Sequence, residues 1–592
     1  MKKSKLFLSA LAVIGFAITA CNGGGGNEGG KGTITVDPLS AAELGIDSDY
    51  IPSKDSIKQR SGTIDVCLDF EGRHVGWQAV ADEYTRLQSN AVKVNINWRI
   101  AGSEYGTRLN QELENAIRTG GSEWDIVEGN LGYGKTRKAC IDFHTFINDP
   151  NAWCGDKNER WSDTLSRRAY YNYDSDKSWG DHYILSTEDM QSCWFVNTVA
   201  LEAAAAKGYV NANGEAGYPI TWDDLINLCS KMEEAGYTNP LGISLSQSSI
   251  KSLQFTWLLR IYGDYYYRQF YQYVQSGDIN KTWPFYDETD KVVENNQGFG
   301  TKNCKVLNLL FDEQTSFGPG YVGFKSEVYQ DFVKQLAKMK GHFIKNVADT
   351  EFAAVRTQFR NQNEGKASAQ IILDYLGQGI QYKGSETDTF KLGYFDYPQM
   401  VSGTYTKASS TGAYDVGDKI VKETTITRDI GGNGGFVSIV SQEDVAQNEL
   451  NKDFVKFFLS PYGQTIYYKG LAESEDHITP KGLTTVDNDL VNIPESWVNF
   501  FDDAEEGGIE FNGNVDPNTF LSYGVRYFNG YDKTEANIVG LWNKLLNSTT
   551  KYDVASFGAE WSDFCFQDYK SMCKDSDHGW PEDMYKNPEG NL

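Results

Sequence analysis

Carboxylates and an amide follow two predicted β-strands near the start of the folded chain. Glu71 comes directly after the β-rich run 63–70, and Glu128 and Asn130 follow the short run 124–127. Side chains at the ends of parallel strands meet at one edge of a sheet, where carboxylates and amides can bind the vicinal hydroxyls of a cyclic sugar. The alternatives are that Glu71 caps the next helix and that Asn130 serves a glycine-flanked turn.

The elements that must hold these side chains alternate between strand and helix. Strand-like runs at 63–70, 92–100 and 124–127 are separated by helical apolar spacing over 76–87 and 105–117. Such a succession predicts an α/β fold, with a parallel sheet covered by helices on both faces. Because the chain has 592 residues, more than a single core usually holds, we expect two lobes.

The N-terminus has the pattern of an export signal. Three lysines precede an apolar run over 6–18, which is too short to span a bilayer, and small residues precede Cys21. A cysteine directly after such a cleavage site resembles a bacterial lipobox. We therefore expect removal of residues 1–20, acylation (palmitate) of Cys21, and a flexible linker over 21–61 before a body that begins near Gly62. The alternative is an ordinary secretory signal followed by a chance cysteine.

The charge of the chain restricts its partners. The formal net charge is −26, and removal of the three leader lysines makes it −29. This charge repels nucleic acid and disfavours anionic ligands, so we expect no nucleic-acid partner and a neutral or cationic ligand. Aromatic residues make up 14% of the chain, and a surplus of Trp and Tyr suits the binding of sugar faces.

The cysteines predict no metal site. None of the eight cysteines besides Cys21 forms a C-x-x-C pair, and no histidine is placed to complete a four-ligand zinc motif, so we expect no metal and no other cofactor. Export permits disulfides. Two alternatives remain open, namely one local disulfide, Cys140 with Cys154 or Cys565 with Cys573, or none.

Several motifs occur in an order typical of one protein family. The most specific is PITWDDL at 219–225, in which Thr221 is a good helix N-cap. The others are CWFVN at 193–197, FRNQNEGKASA at 359–369, GYFDYP at 393–398, GGNGGFVSI at 431–439 and DFVKFFLSPYGQ at 453–464. Together they resemble the family 1 extracellular solute-binding proteins, the maltose- and oligosaccharide-binding proteins of ABC importers. Leu185 stands near the position where that family has a proline, and Phe195 replaces a tyrosine.

The resemblance implies a type II periplasmic-binding-protein fold, with two lobes, a hinge and an interlobe cleft. We expect residues 62–185 and 366–432 to form the first lobe, and residues 193–362 and 436–592 to form the second. The expected crossovers between the lobes are 186–192, 363–365 and 433–435.

The resemblance also selects ligand-binding residues. Asp374 and Tyr375 end a strand at the position where the family faces its ligand. Trp194 and Trp257 are candidates for stacking on a sugar, with core packing as the alternative. Asn433 lies in a glycine run, which could instead serve only to supply positive φ angles.

The implied function is binding without catalysis. The protein would be lipid-anchored on the extracytoplasmic face of the cell membrane, and would deliver a neutral carbohydrate to the membrane subunits of an ABC permease. One alternative is a cell-surface glycan-binding lipoprotein without a transporter. Another is a glycoside hydrolase that uses two of Glu71, Glu128 and Asp374 as its carboxylate pair. The chain contains no G-x-S-x-G motif.

Overall fold

A computed structural model describes the chain in segments. They are residues 32–68, 73–98, 103–128, 138–155, 160–166, 169, 183–275, 324–400, 427, 432–474, 478–506, 532–548 and 551–574.

The strands are, in chain order, β1 (Gly62–Cys67), β2 (Val92–Asn97), β3 (Ile126–Glu128), β4 (Glu188–Met190), β5 (Ser192–Asn197), β6 (Leu241–Gly242), β7 (Ile371–Tyr375), β8 (Leu392–Phe395), β9 (Gly432–Gly434), β10 (Val437–Ile439) and β11 (Gly482–Thr484). The α-helices are α1 (Ala41–Leu44), α2 (His74–Leu87), α3 (Ser103–Thr119), α4 (Thr198–Ala205), α5 (Trp222–Glu234), α6 (Gln247–Lys251), α7 (Gln254–Gln275), α8 (Glu327–Ala337), α9 (Phe352–Asn361), α10 (Gln378–Gly384), α11 (Val445–Phe458), α12 (Pro461–Ala472), α13 (Glu495–Glu506), α14 (Asp532–Leu546) and α15 (Val554–Lys574).

The first lobe is built on a sheet with the strand order β10-β3-β1-β2. As predicted, β1 is parallel to both β2 and β3, whereas β10 runs antiparallel to β3. Helix α2 buries Trp77 on one face of this sheet, where its ring stacks on Phe458 with centroids 3.8 Å apart. Helix α3 covers the other face with Leu109 and Leu113. The predicted α/β sheet with helices on both faces is therefore confirmed.

The second lobe surrounds a sheet with the strand order β6-β7-β5-β8. Strand β5 is antiparallel to both β7 and β8, and β6 is parallel to β7. Among the described residues, the core of this lobe contains four fully buried tryptophans, which are Trp194, Trp222, Trp542 and Trp561.

A small antiparallel sheet with the strand order β11-β4-β9 forms where the chain passes from one lobe to the other. Leu185, just before β4, belongs to the first core, whereas the buried apolar residues from Cys193 to Met400 belong to the second, so the chain crosses at β4. It crosses back in the region that contains β9. The third crossover lies inside α13, because Trp497 packs in the first core and Phe501 in the second.

The predicted lobe boundaries are wrong in two places. Residues 366–400 belong to the second lobe, because β7 and β8 pair with β5. Residues 437–497 contribute to the first lobe through β10, α11 and α12. Residues 363–365 consequently lie within the second lobe and are not a crossover. The sequence motifs predicted the order of the segments along the chain. They did not predict that β7 pairs antiparallel with β5 and so belongs to the second lobe.

The folded body also begins earlier than Gly62. Within the segment predicted to be a linker, Ile34, Leu44 and Ile57 are buried against the first lobe. Residues 32–61 therefore form part of the folded body, and the predicted flexible linker over residues 21–61 is wrong for them. Cys21 and the remainder of the predicted linker lie outside the described residues.

Thr221 caps α5 as the sequence predicts. Its hydroxyl accepts a hydrogen bond from the Asp224 backbone N–H at 3.1 Å, and the Asp224 carboxylate accepts from the Thr221 N–H at 2.9 Å. This reciprocal capping box satisfies two backbone donors that the helix itself cannot bond.

The cysteine side chains that the structure describes, Cys67, Cys140, Cys154, Cys193, Cys229 and Cys565, are buried thiols. Neither proposed disulfide forms, since Cys140, Cys154 and Cys565 are not disulfide-bonded. Within the described segments, no group of three or more His, Cys, Asp or Glu side chains is placed to hold a metal ion. No helix among these residues has both the length and the apolar character needed to cross a membrane.

Candidate functional site

A buried ion-pair cluster lies at the carboxyl-end edge of the first-lobe sheet. Arg73 precedes α2, and its Nη1 donates to Oε1 of Glu128, the last residue of β3, at 2.5 Å. Its Nη2 donates to Oε2 of Glu188, the first residue of β4, at 2.8 Å. The exposed fraction of Arg73 is 6%, and that of each glutamate is 2%. One guanidinium thus joins the first lobe to the small sheet.

The cluster perturbs its own ionisation. Burial disfavours the charged guanidinium, but Glu128 and Glu188 outweigh this effect and raise the pKa of Arg73. Burial raises the pKa of Glu188 despite the opposing charges of Arg73 and Lys481. Lys481 directly precedes β11, and desolvation, followed by repulsion from Arg73, lowers its pKa to about 8. The surroundings of the cluster therefore disfavour the charged form of Lys481.

Asp374 is fully enclosed at the carboxyl end of β7 in the second lobe. Arg356 on α9 donates to both of its oxygens, from Nε at 2.8 Å and from Nη2 at 2.5 Å. The hydroxyl of Tyr382 and the backbone N–H of Tyr375 also donate to this carboxylate. The exposed fraction of the Asp374 side chain is 0%. In this arrangement Asp374 positions Arg356 and presents no surface to a ligand.

Tyr375 is the centre of an aromatic and cationic group. Its ring centroid lies 4.2 Å from that of Trp257, which is partly buried on α7 and also contacts Phe352 at 5.4 Å. The Arg356 guanidinium lies 5.3 Å from the Tyr375 ring, and the Lys481 Nζ lies at the same distance. Burial raises the pKa of Tyr375, so its phenol remains a hydrogen-bond donor at neutral pH.

Solved structures share this architecture. A structure described as a chitin oligosaccharide binding protein superimposes with a TM-score of 0.50 at 12% identity, covering 86% of this chain and 99% of that chain. The protein has a solute-binding-protein fold. RafE in complex with raffinose matches with a TM-score of 0.49 at 12% identity, covering 85% and 100% of the two chains. The MalE maltose/maltodextrin-binding domain from Bdellovibrio bacteriovorus, bound to maltotriose, matches with a TM-score of 0.46 at 12% identity, covering 87% and 100%. No protein-family model and no curated protein matches the chain.

Four of the residues selected from the sequence lie at strand ends or on helices near the junction of the two lobes. They are Glu128, which bonds Arg73, Asp374, which bonds Arg356, and the stacked pair Trp257 and Tyr375, with Lys481 near the Tyr375 ring. In open α/β sheets, ligands bind outside the carboxyl ends of the strands, which makes this junction the candidate site.

The other selected residues are placed differently. Trp194 is fully buried in the second core, between Trp222 and Phe395, so it packs the core. Asn433 lies in β9 opposite Asp189. Glu71 and Asn130 lie outside the described residues.

Sequence reasoning missed several members of the junction. His74 and Trp98 stack with ring centroids 4.1 Å apart and an interplanar angle of 19°, at the edge where β1 and β2 end. Trp98 directly follows β2, so the strand-end rule that selected Glu128 could have found it, but the predicted strand extended to residue 100. Arg356 lies within a helix, where no local pattern distinguishes it from a surface arginine.

The junction can bind polar, uncharged groups. Tyr375 offers a phenol donor, and Trp257 and Trp98 are partly exposed aromatic rings. Among the described residues, Oε1 of Glu188 is a buried oxygen without a hydrogen-bond partner, and it could accept from a hydroxyl if the cluster opened.

Proposed function

We propose that this protein is the substrate-binding component of an ABC importer, a member of the family 1 extracellular solute-binding proteins. It binds a neutral oligosaccharide between its lobes and releases it unmodified to a membrane permease. The observation that carries this proposal is the meeting of three groups of side chains at one junction. Arg73 and Glu128 come from the first lobe, Glu188 and Lys481 from the small sheet, and Tyr375 from the second lobe.

Groups from both lobes make ligand-driven closure possible. A ligand that contacts both lobes binds the closed form more tightly than the open form, and this difference drives closure. A micromolar dissociation constant needs about −8 kcal/mol, which a few aromatic stacks and hydrogen bonds to hydroxyls can supply. The neighbour with a TM-score of 0.50 is named for chitin oligosaccharide, which favours an oligosaccharide ligand.

The charges of the junction favour a neutral ligand. Both buried arginines have carboxylate partners, since Arg73 bonds Glu128 and Glu188, and Arg356 bonds Asp374. A charged ligand that bound one of these groups would have to break its ion pair, and an unpaired buried charge is costly. The net charge of −26 further disfavours anions.

The arrangement of the carboxylates supports binding over hydrolysis. A glycosidase needs one carboxyl group free to donate a proton and a second free to attack or to activate water. Glu128 is bonded to Arg73, and both oxygens of Asp374 are bonded to Arg356. These two carboxylates are therefore engaged in ion pairs.

The proposal includes a lipid anchor on Cys21 at the extracytoplasmic face of the cell membrane. Its support is the charged, apolar and small-residue order of residues 1–20. Cys21→Ser should release the protein from membranes on cell fractionation. Unchanged partition of this variant with membranes would contradict the anchor.

Ligand binding is tested by a thermal-shift screen of the mature protein against chitin, malto-, manno- and raffinose-type oligosaccharides. We expect at least one to raise the melting temperature, to be recovered uncleaved, and to change the X-ray scattering profile toward a more compact particle. Trp257→Ala should weaken binding of that sugar by about 1–3 kcal/mol. Tyr218→Ala, which removes an exposed ring elsewhere on the second lobe, is the matched control. Stabilisation by amino acids or peptides alone, or recovery of a cleaved sugar, would refute the proposal.

A further inference from the structure

The segment of residues 32–58, called the arm here, packs on the first lobe. Ile34, Leu44 and Ile57 have exposed fractions of 2%, 2% and 1%. The two ends of the arm meet in an antiparallel bridge between Thr33 and Lys58. Because its apolar residues belong to the core of the first lobe, the arm cannot leave the surface without exposing them to water.

Hydrogen bonds from three separate elements also hold the arm. The backbone N–H of Leu39 donates to the Tyr462 hydroxyl on α12 at 2.9 Å. The Arg86 guanidinium on α2 donates to the carbonyl of Asp37 at 3.2 Å. Asn492, three residues before α13, donates from Nδ2 to the carbonyl of Leu44 at 2.7 Å.

The arm begins at the edge of the sheet opposite the candidate site. The Gly32 carbonyl accepts from the Gln59 N–H at 2.7 Å, and the Thr35 hydroxyl lies 2.8 Å from that of Ser89, in the turn that precedes β2. This is the edge where β1 and β2 start, whereas Arg73 and Glu128 lie where β1 and β3 end. A strand as long as β2 separates the two edges by about 20 Å.

We propose that the arm is a permanent part of the first lobe, so that the membrane tether is confined to residues 21–31 and leaves the protein at the edge opposite the candidate site. This inference rests on the proposed anchor at Cys21. Eleven residues reach at most about 40 Å, whereas a tether that continued to Gly62 could reach about 140 Å. The bilayer therefore holds the first lobe close, and the second lobe is the one left free to move during closure.

The short tether also restricts how the site can face the membrane. To turn the edge that carries Arg73 toward the bilayer, the tether must pass along the height of the sheet, which uses about 20 Å of its reach. About half of the maximum reach of the tether, or about 20 Å, then remains to separate the protein from the bilayer surface.

The docking of the arm is tested without lipid, by hydrogen exchange in the mature protein with Cys21→Ser. We expect the amides of Ile34 and Leu39 to exchange on the order of 100-fold more slowly than in the double variant Ile34→Ser/Leu44→Ser. Ala42→Ser, an exposed position on α1, is the matched control and should leave the protection intact. Protection of the β1 amides in every variant shows that the lobe remains folded. Equal, fast exchange of the arm in the unaltered body and in the double variant would overturn the inference, whatever the state of the anchor.

The tether is tested with the acylated full chain in lipid vesicles. A dye on Asp82→Cys, an exposed position on α2, reports energy transfer to acceptor lipids in a chain that also carries Cys304→Ser and Cys573→Ser. The six buried thiols should not compete for the label. Transfer should be at least twofold higher with the docked arm than in Ile34→Ser/Leu44→Ser. Equal transfer would overturn the short tether. Failure of the chain to bind vesicles would overturn both the anchor and the tether, while the exchange result would still decide whether the arm is docked.

Discussion

Replacement of Arg73 by methionine tests whether the buried cluster depends on a single cation. The variant leaves Glu128 and Glu188, each 2% exposed, without the guanidinium that bonds both. Removal of one partner from a buried ion pair costs about 3–5 kcal/mol, and we expect a loss of this size in the free energy of unfolding at pH 7. Urea denaturation followed by tryptophan fluorescence measures it.

The pH dependence of this loss follows from the carboxylates. Burial already raises the pKa of Glu188, and removal of Arg73 raises it further. A carboxyl group whose pKa is higher in the folded state than in the unfolded state binds protons preferentially in the folded state. The stability of Arg73→Met should therefore rise as the pH falls from 7 to 5, and the difference from the unaltered protein should shrink.

Two comparisons make the result decisive. Arg108→Met breaks an ion pair with Glu123 in which the side chains are 44% and 66% exposed, so it should cost under about 1 kcal/mol. The triple variant Arg73→Met/Glu128→Gln/Glu188→Gln should recover part of the loss, because no buried charge is left without a partner. If Arg73→Met costs no more than Arg108→Met, the cluster does not act as described.

Three further predictions concern single elements. The pKa of Lys481 is lowered from 10.5 in the unfolded chain to about 8 in the folded protein, so the unfolded chain binds the proton more tightly between these pH values. The free energy of unfolding should therefore rise from pH 8 to 9.5. Urea denaturation at several pH values should show a smaller rise for Lys481→Met. Thr221→Ala removes the cap of α5 and should lower the free energy of unfolding by about 1 kcal/mol in urea titrations; an unchanged value would show that the cap is dispensable. Gly482→Ala places a methyl group against the Asp189 carbonyl and should lower the melting temperature, whereas Gly540→Ala, in open space on α14, should raise stability by about 0.5–1 kcal/mol. Equal melting temperatures of the two glycine variants would refute this reasoning.

Local sequence patterns predicted the elements that depend on local chemistry. The alternation of strand and helix over 62–128 gave the parallel sheet, and Thr221 gave the start of α5. Long-range pairing was not predictable in the same way, because nothing within residues 371–375 shows that they insert between β5 and β6. The arm was missed because it follows a glycine-rich stretch and forms only short elements, such as the four-residue helix α1, which no sustained apolar period marks.

The candidate site was predicted where strand ends define it. Glu128 and Tyr375 end β3 and β7, and the structure places both at the junction. The ion pairs were not predictable, because Arg356 reaches Asp374 only through the packing of a helix on a strand. The sequence therefore selected Asp374 for its position at a strand end. In the structure its carboxylate positions Arg356 and does not face a ligand.

The third crossover limits how the two lobes can move. Trp497 and Phe501 are one turn apart on α13, yet they pack in different cores. Since a helix rises 1.5 Å per residue, these two anchors are only about 6 Å apart along its axis. A helix does not stretch as a loop does, so the lobes stay pinned at this point. We therefore expect any opening of the lobes to be a rotation about a pivot near α13, with small displacements beside the helix and large ones at the far rim.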